Sequence, residues 1–114
     1  MPYLNIEMNH SVDEAVRNSM LSKLSVLIAA QLDKSESYVM VSFASPRPML
    51  FAATNDPCAY LSLKSIGLSS AKTPALSAAL CQLVEEELGI PKARIYIEFA
   101  DAARSMWGWN GKTF

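Results

Sequence analysis

The sequence has few of the residues on which several common chemistries depend. It contains a single histidine, His10, which cannot supply a metal cluster or a Ser-His-Asp arrangement with a recognisable nucleophile motif. Gly67 has no glycine partners at the spacing of a phosphate-binding loop. The acidic run at 85–87 is more typical of a solvated helix face than of a catalytic carboxylate pair. We therefore expect no metal and no cofactor.

Charge and hydropathy argue against further classes of protein. Ten lysines and arginines balance eleven acidic residues without any basic run, so the sequence predicts no nucleic-acid partner. It has no apolar run near the roughly 18 residues of a membrane span, and residues 1–10 do not resemble a secretory signal. Cys58 and Cys81 lie far apart without a C-x-x-C partner, which is typical of free thiols in a reducing compartment. A cytoplasmic location is the expectation.

The first half of the chain predicts a strand, a helix and a second strand. Residues 3–8 alternate between apolar and polar side chains, as in a half-buried strand. Ser11 and Glu14 fit a capping box that begins a helix. Apolar residues then recur at helical spacing: Ala15, Val16, Met20, Leu24, Leu27, Ile28 and Leu32. After a connection at 33–35, residues 38–43 are apolar on both sides, which favours a central strand.

The second half repeats this order. Strands are expected in three places: a short one at 49–53, and longer ones at 58–64 and 94–99. Between the two longer strands lies a helix with Pro74 in its first turn and Gly89 at its C-cap. The tail at 106–114 is aromatic and interrupted by glycine, which predicts a short hairpin or a docking arm.

Two successive β-α-β units predict one α+β domain over residues 1–114. The four main strands should form a single sheet with both helices on one face. The opposite face must then be covered, and only the tail and other copies of the chain remain to cover it. Hydrophobic residues make up 51% of the chain and charged residues 18%, an excess that also favours burial against another copy. We therefore expect an oligomer.

The chain begins Met1-Pro2, and this pair has two interpretations. Removal of an initiator methionine is favoured when the next residue is small, and Pro2 would then carry a free secondary amine. An α-amine has a pKa of about 7.7–8.0, and burial beside a cation lowers it to give a base usable at neutral pH. The alternative is that Pro2 simply starts an edge strand, where a missing N–H costs nothing.

Short motifs spread over the whole chain resemble one known family. They occur in order and at near-constant spacing: Met1-Pro2, Lys34, Tyr38-Val39, Asp56-Pro57-Cys58-Ala59, Ser62-Leu63, Ser65-Ile66-Gly67, Arg94-Ile95-Tyr96-Ile97, Asp101, Gly108-Trp109-Asn110 and Thr113-Phe114. Each motif alone is weakly specific, but together they resemble the macrophage migration inhibitory factor branch of the tautomerase superfamily. The resemblance implies the fold predicted above, a homotrimer, and keto–enol tautomerase activity on phenylpyruvate-like α-keto acids.

The resemblance also implies roles for particular residues. Pro2 matches the catalytic base, and Lys34 matches the residue that binds the substrate carboxylate. Ile66 matches the position whose backbone helps to hold that carboxylate, and Tyr96 matches an aromatic wall supplied by a neighbouring subunit. Tyr38 is a further aromatic candidate for the pocket. Without the resemblance, these residues have ordinary readings: a solvated loop lysine, sheet tyrosines at a subunit contact and a core isoleucine.

Three positions depart from the family's pattern. Glu98 replaces an asparagine, and a carboxylate facing the pocket would oppose an anionic substrate and raise the pKa of Pro2. Trp107 replaces a small apolar residue, so it would narrow the pocket or add a stacking wall. Leu61 replaces the second cysteine of a vertebrate motif, so a thiol-redox role does not carry over.

The departures keep other functions open. The alternative to a tautomerase is a cytokine-like binding protein with a vestigial pocket and a receptor-type protein partner. A related proline-dependent decarboxylase or hydratase fits less well, because the sequence offers no evident water-activating carboxylate. Relatives can be exported without a signal peptide, so secretion also stays open beside the cytoplasmic expectation.

Overall fold

Two β-α-β units share one sheet in the computed structural model, which describes residues 1–114. The main elements are β1 (Tyr3–Met8), α1 (Glu14–Leu32), β2 (Met40–Ala44), β3 (Ala59–Ile66), α2 (Thr73–Leu88) and β4 (Ile95–Ala102). A two-stranded hairpin follows, formed by β5 (Gly108–Trp109) and β6 (Lys112–Thr113). The predicted α+β fold and the hairpin in the tail are confirmed.

The sheet has the strand order β2-β1-β3-β4. Each helix connects two parallel strands, β1 to β2 and β3 to β4, and the two units join through the antiparallel pair β1–β3. Alternate residues of β1 and β3 meet the buried faces of both helices, so the helices lie on the same side of the sheet. The largest fully buried side chains are Leu4, Ile6, Met8, Met20, Leu24, Ile28, Leu61, Leu63, Leu76, Leu80, Val84 and Ile90.

The ends of the helices agree with the sequence in one case and differ in the other. Pro74 lies in the first turn of α2, and Gly89 ends it in the left-handed conformation with φ of 70°, as expected. The capping box at Ser11 was wrong, because α1 begins only at Glu14. Val12 packs against the core and Asp13 keeps an extended backbone with ψ of 149°, so the helix cannot start earlier.

The second strand is an edge strand, not the central strand that the sequence predicted. It begins at Met40, because residues 36–38 form a 3₁₀ turn, and its only neighbour is β1. The apolar character of this stretch has another cause. Tyr38, Val39 and Met40 line a surface pocket described below, so they are apolar without lying between two strands.

The short strand predicted at 49–53 was also wrong. Phe51 and Thr54 pair with each other across a tight turn, and the residues between them, Ala52 and Ala53, adopt positive φ values of 51° and 62°. This turn lies outside the main sheet. The chain reverses here because two consecutive left-handed residues match the twist of a two-residue hairpin turn.

The open face of the sheet is more polar than the sequence argument assumed. It carries hydrogen-bonded side chains: the Tyr3 hydroxyl lies 2.6 Å from Ser42 Oγ, which donates to Asn5 Oδ1 at 2.7 Å. Arg47 also forms an ion pair with Glu7 at 3.1 Å. This face therefore tolerates water. Its exposure alone does not require another copy of the chain.

Both cysteines are free thiols, with Cys58 buried and Cys81 half-buried. Burial raises the pKa of the Cys81 thiol despite a hydrogen bond from Ser77 and the charge of Lys92. Neither helix is both long enough and apolar enough to cross a membrane. The cytoplasmic location remains a prediction.

Candidate functional site

The N-terminus of the chain opens into a pocket of about 440 Å³. The pocket lies where β1 and β2 begin, and it is closed on one side by the aromatic tail. Its lining is mainly apolar: Met1, Pro2, Tyr3, Ser37, Tyr38, Val39, Met40, Ser42, Trp107, Gly108, Trp109 and Phe114. The two ends of the sequence therefore meet at one site.

Pro2 is buried at the base of this pocket. Its carbonyl accepts a hydrogen bond from the Met40 backbone N–H at 3.0 Å, which fixes the start of β1 against β2. β1 lies in the interior of the sheet, so the edge-strand alternative for Pro2 does not apply. In this form Met1 is attached and the Pro2 nitrogen is a tertiary amide, so the free amine belongs to Met1.

The environment of the N-terminus favours a neutral amine. Burial lowers the pKa of the Met1 amine below its ordinary value of 8.0, and the nearby Lys34 ammonium lowers it further. Both effects penalise the protonated form: burial removes water from the charge, and Lys34 repels it. An amine at this place is therefore a free base at a lower pH than an exposed α-amine.

Lys34 is placed beside the N-terminus by the way α1 ends. Asp33 adopts the left-handed conformation with φ of 53°, and the Lys34 backbone N–H donates to the Ala29 carbonyl at 3.0 Å. The side chain then reaches across to β3, where its Nζ donates to the Ile66 carbonyl at 3.3 Å. A lysine ammonium has three N–H donors, and this bond uses one of them, so the others are free to bind an anion.

Ile66 stands at the last position of β3, and the turn after it is held by a carboxylate. Asp101 Oδ1 accepts a hydrogen bond from the Leu68 backbone N–H at 3.0 Å. Asp101 lies on β4 in register with Ser65, so this bond ties β4 to the turn that follows Gly67. Sequence reasoning quoted Asp101 without a role, and the structure gives it one in shaping this turn.

Aromatic rings form the remaining wall of the pocket. The rings of Tyr38 and Trp109 meet edge to face at 5.8 Å, and Trp109 stacks on Phe114 at 5.6 Å with an interplanar angle of 17°. Trp107 lies beside them in the lining. Sequence reasoning did not include Trp109 and Phe114 among the site residues. The signal that could have found them is the concentration of aromatic residues in the tail.

Two of the predicted site residues lie elsewhere in the same chain. Tyr96 is in register with Tyr60 on β3, which pairs with Glu7 near the far end of β1. At about 3.3 Å per residue along a strand, Tyr96 is displaced by roughly 16 Å from the level of Pro2. It also lies on β4, the edge of the sheet opposite to β2. One chain therefore cannot bring Tyr96 to its own pocket.

Glu98 likewise lies on β4, where its partner is a tyrosine. The Tyr60 hydroxyl donates to Glu98 Oε1 at 2.6 Å. This bond raises the pKa of Tyr60, since it favours the protonated phenol, and the charges of Glu98 and Glu7 add to the effect. Within one chain, the Glu98 carboxylate is thus engaged on the open face of the sheet and does not face the pocket.

Comparisons with known proteins find relatives that match nearly the whole chain. The family model for macrophage migration inhibitory factor matches residues 1–114. A curated macrophage migration inhibitory factor homolog from Brugia malayi is 40% identical over 115 aligned residues, which cover 100% of this chain and 99% of the relative. The macrophage migration inhibitory factor of Mus musculus is 38% identical over 101 residues, or 88% of each chain.

A solved structure shares the whole fold. The macrophage migration inhibitory factor homologue from Prochlorococcus marinus superposes with a TM-score of 0.93 at 41% identity, covering 98% of each chain. The class defined by the fold is therefore the tautomerase-like α+β class. Within it, the chain belongs to the macrophage migration inhibitory factor family, as the sequence resemblance predicted.

Proposed function

We propose that this protein is a keto–enol tautomerase for phenylpyruvate-like aryl α-keto acids, with the amine of Pro2 as the acid and base. The observation that carries the proposal is the position of the N-terminal amine. It lies inside an aromatic-lined pocket, where burial and Lys34 lower its pKa. Removal of Met1 would leave the secondary amine of Pro2 in this environment.

The reaction needs one group that removes a proton from carbon and returns one to oxygen or carbon. In the ketonisation direction, the neutral amine of Pro2 takes the proton of the enol hydroxyl, and the resulting ammonium delivers a proton to the enol carbon, which forms the ketone and restores the neutral amine. In the reverse direction the neutral amine takes the carbon proton and returns a proton to the oxygen. A single base with a pKa near neutrality suffices for both directions.

The chain supplies binding groups for the two ends of such a substrate. The Lys34 ammonium and the backbone at Ile66 are suited to the carboxylate, because a charge-assisted hydrogen bond is stronger than a neutral one. The aromatic ring of the substrate would pack against Tyr38 and Trp107. The apolar lining would exclude water from around the bound substrate. The lower local dielectric would strengthen the attraction between Lys34 and the substrate carboxylate.

The same proposal includes a homotrimer in which Tyr96 of one copy completes the pocket of the next. Both outer strands of the sheet, β2 and β4, have an unpaired edge. Large apolar side chains are exposed near those edges, with Met40 at 65% and Tyr96 at 64%. A neighbouring copy would cover these residues and would bring Tyr96 and Glu98 next to the groups that one chain already gathers.

The test is ketonisation of phenylpyruvate by the wild type and by Pro2→Gly, after intact mass has shown that both chains lack Met1. General acid–base catalysis typically contributes about 10²–10⁴-fold, so we expect the variant to lose at least 100-fold in kcat/KM. Pro2→Gly keeps an amine at the N-terminus but removes the secondary amine and the ring. Equal rates in the two proteins would remove Pro2 from the mechanism.

A second candidate function is that of a cytokine-like binding protein with a weak pocket and a receptor-type partner. The observation that favours it is the bulk of Trp107 and Phe114 in the pocket lining. Replacing Trp107 with alanine separates the two candidates. If the protein is a tautomerase whose pocket is narrowed by Trp107, the variant should have a changed KM for aryl substrates. If the pocket is vestigial, the variant should stay inactive while the assembly and its partner binding persist.

A further inference from the structure

The turn after Phe51 has an unfavourable sequence for its conformation. Phe51 and Thr54 exchange both backbone hydrogen bonds, at 3.0 and 3.1 Å, so the turn contains only Ala52 and Ala53. Both alanines have positive φ, a combination for which turns of this kind strongly prefer asparagine and glycine. Such a conformation persists only where the surrounding structure holds it.

Arg94 makes the largest set of side-chain hydrogen bonds to this turn and the residues after it. Its guanidinium donates to four backbone carbonyls: Phe51 at 3.1 Å, Thr54 at 3.4 Å, Asp56 at 3.0 Å and Pro57 at 2.9 Å. The planar fork of arginine has five donors in fixed directions, and lysine cannot reproduce this arrangement. The same guanidinium lies 5.2 Å from the centre of the Phe51 ring, within range of a cation–π contact.

Phe51 in turn supports Tyr96. The two rings are 4.9 Å apart at an angle of 58°, a favourable tilted arrangement. Tyr96 is 64% exposed, and Phe51 is the aromatic side chain in contact with it. The contacts therefore run from Arg94 through the turn and Phe51 to an exposed ring that no other aromatic group holds in place.

We propose that Arg94 is a positioning residue for the site. It fixes the 51–57 turn and the Phe51 ring. It thereby fixes the orientation of the Tyr96 ring toward the pocket of a neighbouring copy. This inference rests on the proposed function, in which Tyr96 contacts the substrate in the next subunit. Arg94 itself does not touch the substrate and takes no part in proton transfer.

The first test is steady-state kinetics on phenylpyruvate with Arg94→Met. Loss of a binding wall that acts in both the ground state and the transition state raises KM without lowering kcat, so we expect KM to rise about five- to tenfold with kcat within about twofold. Arg47→Met is the matched control, because Arg47 is an exposed arginine with a single carboxylate partner. Its KM should match the wild type.

Two further variants separate positioning from charge and from folding. Arg94→Lys keeps the positive charge but loses the fork, so it should restore KM only in part. Full restoration would mean that the charge attracts the substrate, and would overturn the proposal. Phe51→Leu leaves every hydrogen bond of Arg94 in place and should raise KM as Arg94→Met does, which keeps the test valid if Arg94→Met folds poorly.

A double variant gives the decisive result. In a Tyr96→Leu background, the KM effect of Arg94→Met should disappear, because the ring that Arg94 positions is gone. An undiminished effect there, or an unchanged KM in Arg94→Met alone while Tyr96→Leu raises KM, would overturn the role of Arg94.

Hydrogen exchange at the Phe51 and Thr54 amides should be faster in Arg94→Met, and unchanged exchange would also overturn it. If the wild type shows no Pro2-dependent activity, the proposed function itself fails, which is a separate outcome.

Discussion

The two ends of the sheet differ in how much of the proposed site each supplies. At one end, Pro2 lies in the pocket beneath the aromatic tail, and Lys34, bonded to the Ile66 carbonyl, lies near the N-terminal amine. At the other end, Tyr96 is exposed and supported by a turn and an arginine, with no cavity of its own. The first end holds the residues of the proposed proton transfer, and the second holds an exposed aromatic ring with no pocket beside it. The proposed function accounts for this difference by a site that is completed between copies of the chain.

The largest effect should come from displacing the amine at the first end. Insertion of one alanine between Met1 and Pro2 turns the Pro2 nitrogen into an amide even after Met1 is removed. We expect kcat/KM for phenylpyruvate to fall about 100-fold or more, since general acid–base catalysis is lost. Intact mass and melting temperature serve as controls. An insertion variant with wild-type activity would show that the first end does not supply the base.

Lys34→Met should have the next largest effect. A hydrogen bond to a charged group contributes about 1.5–3 kcal/mol, so KM should rise by roughly 10- to 100-fold. Burial is the larger cause of the lowered pKa of the N-terminal amine, and the charge of Lys34 is the second cause. Loss of the Lys34 charge should raise the pKa of the amine, so that the amine stays protonated to a higher pH. The acid limb of the kcat/KM profile should therefore move to higher pH. Lys64→Met, on the exposed strand surface, is a control for general charge. An unmoved acid limb would count against Lys34 as the neighbour of the base.

Mixing two variants tests whether the two ends come from different copies. Chains carrying Pro2→Gly, refolded together with chains carrying Tyr96→Leu, should form some pockets with an intact Pro2 and an intact Tyr96. For random assembly about a quarter of the pockets would be intact. Activity should therefore exceed the average of the two separately refolded variants several-fold. A mixture that merely averages them would place both residues in one copy or outside the site.

Glu98→Gln should have the smallest effect. Removing the carboxylate takes away the main cause of the raised pKa of Tyr60, so the phenol should titrate at lower pH, as followed by ultraviolet absorbance. If Glu98 also lies near a neighbouring pocket, KM for the anionic substrate should fall about two- to threefold, a size typical of partly screened charges. A lower Tyr60 pKa with an unchanged KM would keep Glu98 away from the substrate.

Local patterns in the sequence predicted the helices and strands well. The alternation at 3–8 and the Pro74 and Gly89 signals of α2 correspond to observed ends. The errors arose where long-range contacts decide. The apolar stretch at 38–43 lines a pocket at a sheet edge. The turn at Ala52 and Ala53 depends on Arg94, which is distant in sequence and carries no local signal.

The candidate site was predicted from a resemblance, and the structure adds what pattern reading cannot. Proximity of Lys34 to Ile66 depends on how α1 ends and crosses to β3. Contributions from Trp109 and Phe114 depend on the tail folding back over the N-terminus. Separation of Tyr96 from Pro2 follows from the strand order, which no single motif encodes.

The most direct test of the central claim is a titration of the Pro2 amine in protein whose mass shows the loss of Met1. Nitrogen-15 labelling of proline and nuclear magnetic resonance would report the pKa of this amine alone. We predict a value below the ordinary range of about 7.7–8.0, coinciding with the acid limb of kcat/KM for phenylpyruvate. An ordinary or raised pKa, or a rate that does not follow this titration, would contradict Pro2 as the base.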